Sequence, residues 1–434
     1  MNIAKKSIAA LTAVSMMLAG FTGCGADKNE SGEFEPKLDT EAAVSIEISG
    51  FFGNFEALDQ VEANFNEYYP NVTFSYEQVG GTNLCEFVKN NQYLDIFMTS
   101  REHLRFPGMN EKYIGDKCAD LNDIIDTGAV RDDMLSDFTV DGELLSLPMA
   151  QKMYGMAVNK TLLEKEGLEM PKNYSEFLSV LDALKNKGYV PIQGASSCIY
   201  SGLVNSEAMD ILLSDESLKR GINSGSADAV NAMASVYSQI QTIIDSGYTD
   251  REINAALPFD NYDGSIMNFL DGDVPFWICD TEKFSGVKKR ESKSESFTAE
   301  PFEYEFTLIP MGEKGVYEYS EPWCGFSLNK ESDVYDYAAE FLRFAAGKDQ
   351  LEILASVKGV PSVTEDSASD ERYTAVESLS NIEMSCVMDG SIENHVMSLF
   401  ATYANKIGEG EMTSPEEAAQ ELVNKCTEIT NDMQ

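Results

Sequence analysis

The stretch Val44–Tyr76, VSIEISGFFGNFEALDQVEANFNEYYPNVTFSY, decides the fold class. Val44, Ile46 and Ile48 alternate with polar neighbours, as a half-buried strand requires. After the turn FFGN, the residues Phe55, Leu58, Val61, Phe65 and Tyr68 recur at helical spacing, and Pro70 ends that run. Val72, Phe74 and Tyr76 then alternate again. Strand, helix and strand in this order predict a parallel βαβ unit and an α/β fold.

Working outward, the pattern repeats without sequence repeats. YLDIFMTS predicts a strand ending in Thr99 and Ser100, and LLSLP predicts another that runs to Pro148. Residues 173–187 begin with Asn-x-x-Glu ahead of Phe177, Leu178, Leu181 and Leu184, the signature of a capped amphipathic helix that stops at Gly188. VYDYAAEFLRFAAG and EEAAQELVNKCTEI predict two more helices. KKRESKSESFTAE, residues 288–300, has the polarity of an exposed loop.

The N-terminus carries Lys5 and Lys6, then an apolar stretch Ile8–Leu18 too short to span a bilayer as a mature helix, then Thr22, Gly23 and Cys24. This order resembles a bacterial lipoprotein signal with cleavage before Cys24, with Phe21 where that pattern usually has Leu. It implies residues 1–23 as a signal peptide, lipidation of Cys24 and a location on the outer side of the cytoplasmic membrane. An ordinary secretory signal would change the anchor and leave the compartment the same. Residues 25–42 are polar and poor in apolar side chains, so 24–42 are expected to be a lipidated cysteine and flexible tether. The roughly 390 residues that remain exceed one hydrophobic core and predict two lobes.

The chain holds 32 basic and 73 acidic residues, a formal net charge of −41. That field repels nucleic acid and anionic head groups and argues against polyanionic partners. Apart from Cys24 the cysteines are Cys85, Cys118, Cys198, Cys279, Cys324, Cys386 and Cys426, with no CxxC spacing. They are expected mostly as buried small apolar residues. With His103 and His395 the only imidazoles, a structural zinc site is not expected, and neither metal nor cofactor is predicted. No HExxH, GxSxG or Walker loop is present: GKDQ at 347 lacks the hydroxyl residue after Lys, GEGEMT at 408 breaks the dinucleotide pattern, and NYDG near 263 lacks acids that a calcium loop needs.

GELLSLPMAQKMYGMAVNKTLLEKEGLEMP, residues 142–171, resembles the extracellular solute-binding proteins of ABC importers, the family that includes maltose-binding protein. Pro148, Tyr154, Asn159, Lys160, Gly167, Leu168 and Pro171 fall in the order of its hinge, aromatic residue, Asn-Lys strand end, short helix and turn. FLDGDVPFWICD (269–280), EYEFTLIPMGEKG, EPWCGFSLNKESDVYDYAAEFLRF and GVPS (359–362) are similar to further segments of that family in matching order. The resemblance implies a two-lobed periplasmic-binding-protein-like (type II) α/β fold, with a hinge and a ligand cleft between lobes. One lobe would hold 43–150 plus 307–356, the other 151–306 plus 357–434. It implies a binding protein rather than an enzyme, with a carbohydrate ligand and the permease of an ABC importer as partners.

Candidate ligand contacts follow from the chemistry of a sugar ring, which offers C–H groups on its faces and hydroxyls at its edge. Trp277 and Trp323, the only tryptophans, lie in segments that resemble the family's ligand-facing strands. Phe52 and Asn54 follow the first strand at the carboxyl end of a parallel sheet, where open α/β folds bind ligands, with Phe51 as the weaker aromatic candidate. Tyr154 is a stacking or hydroxyl contact or a core residue. Arg101 and Glu102 could bracket hydroxyls with charge-assisted bonds, or form a surface ion pair. Asp280 and Glu321, each close to a tryptophan in sequence, could accept from hydroxyls. A non-sugar solute such as a polyamine or peptide, a lipid-anchored adhesin, and a lipid-anchored glycoside hydrolase are the alternatives.

Overall fold

The computed structural model describes residues 34–52, 56–91, 93–104, 112–257, 262–313, 315–365, 367, 371–377, 383–385 and 393–432. Its strands are β1 (Val44–Gly50), β2 (Val72–Gln78), β3 (Ile96–Thr99), β4 (Thr139–Val140), β5 (Glu143–Leu144), β6 (Leu147–Asn159), β7 (Ile192–Gln193), β8 (Phe276–Asp280), β9 (Tyr304–Thr307), β10 (Tyr317–Leu328) and β11 (Glu383–Ser385). The helix Glu56–Phe65 joins β1 to β2, and the two strands pair in parallel from Val44 opposite Val72 to Gly50 opposite Gln78. β3 adds to the other side of β1, also parallel. The βαβ unit expected from the sequence is present.

Among the described residues nine strands form one sheet, in the order β2-β1-β3-β10-β6-β8-β7, with β11 beside β10 and β9 beside β6. A separate hairpin, β4 and β5, turns on Asp141 and Gly142 at φ of 53° and 87°. β6 and β10 are the longest strands, and they pair antiparallel from Tyr154 opposite Tyr319 to Leu147 opposite Phe326. Beyond that shared segment, β10 runs on against β3, while the other end of β6 is flanked by β8 and β9. β6 runs unbroken through Pro148, where the sequence predicted a strand to end. Pro148 falls at its second residue, opposite Gly325, and a Cβ on Gly325 would press on the Ser146 hydroxyl and Leu147 carbonyl.

Apolar periodicity fills both halves of the sheet. On one side Ile46, Ile48, Leu58, Val61, Phe65, Ile96, Phe326, Phe341 and Leu342 are all buried, and Phe65 meets Phe341 edge-on at 5.3 Å. On the other, β6 and β8 are covered on both faces. Met156, Val158, Phe276 and Ile278 join one core with the helices Tyr174–Asn186, Ala227–Asp245 and Pro415–Asp432, while Met153, Ala157, Trp277 and Cys279 join a second core with Phe269, Phe284 and Phe306. A strand buried on both faces reads as a continuous apolar run, as FWIC does. Asn173 caps its helix by accepting from the Glu176 amide at 2.9 Å, as its motif predicts.

Two segments differ from expectation. Residues 37–42, assigned by composition to the tether, are seated on the fold: the Lys37 amide donates to Glu340 at 2.9 Å and to the Tyr69 hydroxyl, Leu38 donates to the same hydroxyl, and Tyr337 donates to the Asp39 carbonyl. Backbone groups do this work, so a scarcity of apolar side chains does not reveal it. Residues 288–300 are two short helices, Lys288–Lys293 and Glu295–Ala299, rather than loop, the second capped by Ser294. Cys85, Cys118, Cys279, Cys324 and Cys426 are buried thiols, and burial pushes Cys118 and Cys426 up to about 12. Among the described residues no helix is long and apolar enough to cross a membrane.

Glu62, on the helix Glu56–Phe65, makes stability depend on pH. Burial, aided by Asp59, raises its carboxyl from 4.5 to about 7, so the folded state holds that proton more tightly than the unfolded chain. Its stabilising contribution is present below about 4.5 and is lost as pH rises through about 7. Glu62→Gln is expected to flatten the fall in melting temperature between these pH values; an unchanged pH slope in a thermal melt would remove Glu62 as its source.

Candidate functional site

The turn after β1 is fixed by close approach. A Cβ on Gly50 would lie 2.5 Å from both Met98 Sδ and the Tyr76 hydroxyl, so any larger residue there would have to displace those side-chain ends. That hydroxyl accepts from the Phe52 amide at 3.2 Å and donates to its carbonyl at 3.0 Å. Burial pushes the phenol up to about 12, which keeps the donor proton in place. Phe52 is thereby held against Trp323, with ring centroids 4.7 Å apart and planes at 57°. Lys358 ends the helix Lys348–Lys358, and its Nζ lies 4.2 Å from the Phe52 ring centroid. Gly359, at φ 69°, closes that helix.

From Trp323 a polar network runs along β10 and across to β6. The Tyr154 hydroxyl donates to Glu321 Oε1 at 2.8 Å, and Lys152 Nζ reaches the same oxygen at 2.5 Å. Lys152 also lies over the Tyr154 ring at 5.2 Å, and Tyr154 stacks on Tyr319 at 4.8 Å. The Lys152 and Glu321 side chains are each 18% exposed. Burial opposes ionisation of Glu321, but Lys152 and the Tyr154 hydroxyl outweigh it and hold the carboxyl below its usual range. Burial likewise opposes the Lys152 charge, and Glu321 outweighs it, raising the ammonium well above its usual value. The pair is charged because each partner makes the other so.

β8 delivers the third element. Asp280 is opposite Tyr154 in register and caps the helix Thr281–Ser285, accepting from the Lys283 amide at 2.9 Å and its Nζ at 2.7 Å. Burial and the Asp280 charge raise the Glu282 carboxyl; the Lys152 and Lys283 charges act against that rise. Glu282 therefore shares the electrostatic environment of Asp280, Lys152 and Lys283. Flat rings beside directional charged groups suit a solute with apolar faces and a polar edge. Among the described residues, no group of three or more His, Cys, Asp or Glu is placed to hold a metal ion.

The structure brings Phe52 and Trp323 together, and Tyr154 together with Asp280 and Glu321. It sends Trp277 elsewhere: the indole is 1% exposed, within 5.6 Å of Phe269 and inside the second core, so Trp277 is a core residue and leaves no ring face for a solute. Arg101 and Glu102 do not bracket a common point. Arg101 turns inward to Asp137 at 3.1 Å, while Glu102 is exposed and pairs with Lys112 at 2.9 Å. Arg101 still acts on the network through its charge, helping to lower Glu321. Phe51 stacks on His103 at 5.6 Å, apart from the Phe52–Trp323 contact. Asn54 and Cys24 lie outside the described residues. Sequence reasoning passed over Lys152, Glu282, Lys283 and Lys358; the spacing Lys152-x-Tyr154 on an alternating strand is the one signal that could have found the first.

A family model described as bacterial extracellular solute-binding protein matches residues 63–380. The chain belongs to that family. It is a binding protein and not an enzyme. Solved structures share the receptor's α/β fold, the periplasmic-binding-protein architecture. The binding protein MsmE of Bacillus subtilis, solved in an open conformation, aligns at TM-score 0.68 and 15% identity over 91% of this chain and 100% of its own. A sugar transporter protein of Bacillus licheniformis, solved with stachyose, gives 0.65 and 15% over 88% and 98%. The GacH receptor of Streptomyces glaucescens, solved unliganded and with acarbose, gives 0.68 and 15% over 90% and 100%. At these identities the likeness establishes the fold. No curated protein sequence matches the receptor.

The Lys152–Glu321 pair gives a direct test of the network. Lys152→Met strands the Glu321 carboxylate and is expected to cost about 2–3 kcal/mol in denaturant unfolding, with Lys152→Met/Glu321→Leu recovering most of it. A double-variant loss equal to the sum of the Lys152→Met and Glu321→Leu losses would show that the two residues act independently.

Proposed function

We propose that this receptor captures a sugar or oligosaccharide outside the cytoplasmic membrane and delivers it to the permease of an ABC importer. The observation that carries the reading is the Phe52–Trp323 pair, with Tyr154, Lys152, Glu321, Asp280 and Glu282 beside it. An aromatic platform next to fixed donors and acceptors matches the two surfaces of a sugar ring. The likeness to proteins whose structures hold stachyose and acarbose supports the same class. A polyamine would need unneutralised carboxylates, whereas Glu321 and Asp280 are already matched by Lys152 and Lys283.

The mechanism is closure of two lobes, 43–150 plus 307–356 and 151–306 plus 357–434, about the paired strands β6 and β10. A solute held by groups from both lobes stabilises the closed form by its differential contacts, and the permease recognises that form. Cys24, lipidated after removal of residues 1–23, keeps the receptor at the membrane. Cells fed an alkyne-tagged fatty acid are expected to label the wild-type chain and not Cys24→Ala; equal labelling of both would place the lipid elsewhere.

Calorimetric titration with mono- and oligosaccharides, with product analysis of each mixture, tests the reading. Saturable binding with the sugar recovered intact is expected; absence of binding across the panel overturns it. Trp323→Ala is expected to weaken binding about tenfold or more, some 1.4 kcal/mol, with little change in melting temperature. Trp277→Ala should instead cost about 3–5 kcal/mol of stability, because it empties a packed core. The reverse pattern would exchange their roles.

A further inference from the structure

Behind the candidate site, on the other face of the same two strands, lies a second polar network that the binding chemistry leaves unused. Successive side chains of a strand point to opposite faces, so Lys152, Tyr154, Tyr319 and Glu321 share one face of the β6–β10 pair, while Gln151, Glu318 and Ser320 share the other. These last three are all buried. Glu318 Oε1 accepts from Gln151 Nε2 at 2.6 Å and from the Ser320 hydroxyl at 2.7 Å. The Gln151 side-chain oxygen in turn accepts from Arg131 Nη1 at 3.0 Å, and the two Asp133 oxygens grip that guanidinium at 3.1 and 2.5 Å. Arg131 stands just ahead of the helix Asp132–Phe138.

A third segment completes the group. The Gln151 amide donates to the Pro361 carbonyl at 3.0 Å, the Arg131 amide donates to the Val363 carbonyl at 3.0 Å, and Val130 bridges to Thr364. On the lobe division proposed above, Arg131, Glu318 and Ser320 belong to one lobe, and Gln151, Pro361 and Val363 to the other. The bonds from Gln151 to Glu318, from Arg131 to Gln151 and from Arg131 to Val363 therefore all cross between lobes, where a hinge motion has to bend or shear them. They are made in the arrangement that brings Phe52 against Trp323 and Tyr154 onto Glu321.

We propose that Glu318, acting through Gln151 and Arg131, is a positioning residue that holds the two lobes in the solute-binding arrangement and so sets the affinity for every solute alike. This rests on the two-lobe closure proposed above and adds what governs it. Buried on the far face of the strand pair, Glu318 does not meet the solute. Its leverage is on the fraction of receptor that is competent to bind, and apparent affinity falls in proportion to that fraction whatever the ligand. A side chain that touches the solute discriminates between sugars, whereas one that sets the competent fraction scales them all by one factor.

The test joins small-angle X-ray scattering of the full mature chain without added solute to calorimetric titration with raffinose, stachyose and maltotriose. Glu318→Leu removes the acceptor of both side-chain hydrogen bonds. It is expected to enlarge the radius of gyration and to weaken every sugar that the wild type binds by the same factor, about fivefold, the size of effect that one hydrogen bond carries. Glu318→Gln keeps an acceptor oxygen for Gln151 and Ser320 and is expected to match the wild type in both measurements. Gln151→Met breaks the link from the other strand and should reproduce Glu318→Leu, which keeps the test open if Glu318→Leu does not fold. Scattering that superimposes on the wild type in these variants overturns the proposal, even where the melting temperature falls, because the network is then structural only. A loss of affinity that differs from sugar to sugar overturns it as well. If the wild type binds none of the sugars, the sugar-binding reading falls and the scattering alone decides the role of Glu318.

Discussion

The antiparallel pairing of β6 with β10 is the constraint on which the rest of the structure depends. Each strand is too long to be used up by the other, so each continues into a different neighbourhood, β10 against β3 and β6 against β8 and β9. Tyr154 sits where the partnership changes hands, opposite Tyr319 on one side and Asp280 on the other. The polar network is built at that residue. The register shift between Pro322 and Gly325 falls beside Trp323, and irregularities of this kind re-aim a side chain that strict alternation would fix.

Charge pairing there organises the site more than it strengthens the fold. Taking Lys152 and Glu321 out of water costs about as much as their attraction returns, so the pair adds little net stability. It fixes direction instead: the Lys152 ammonium and the Tyr154 hydroxyl converge on one Glu321 oxygen, and the Tyr154 and Tyr319 rings stack. Asp280 does two jobs with one carboxylate, closing a helix N-terminus and holding Lys283. These groups are already fixed in place, and on the proposed reading that lowers the ordering cost of binding.

The βαβ opening and the amphipathic helices were legible because their signal is periodic and local: Val44, Ile46, Ile48 and then Phe65 lie where their spacing puts them. The site was legible in part. Phe52, Tyr154, Asp280 and Trp323 could be picked out as candidates because strand ends and family-like segments mark them, whereas Trp277 could not be separated from Trp323, since the elements that cover both faces of β8 lie elsewhere in the sequence. Arg101 and Glu102 are adjacent in the chain yet diverge, because neighbours at the start of a helix point about 100° apart and one finds the buried Asp137. Lys358 and Phe52, far apart in the chain, meet only through tertiary packing, and Lys37 and Leu38 are held by backbone amides that composition does not record.

The unequal placement of the two indoles gives the molecule an optical property of its own. Trp277 is sealed among Phe269 and its neighbours, where water and solutes do not reach it, so its emission is a fixed background. Trp323 is only partly buried, and its ring centroid lies 4.7 Å from that of Phe52, whose face carries the Lys358 ammonium. Any event that shifts Phe52 alters the electric field at that one ring. On the proposed reading, Trp323 is the single fluorophore that reports on the candidate site, with Trp277 as an internal reference.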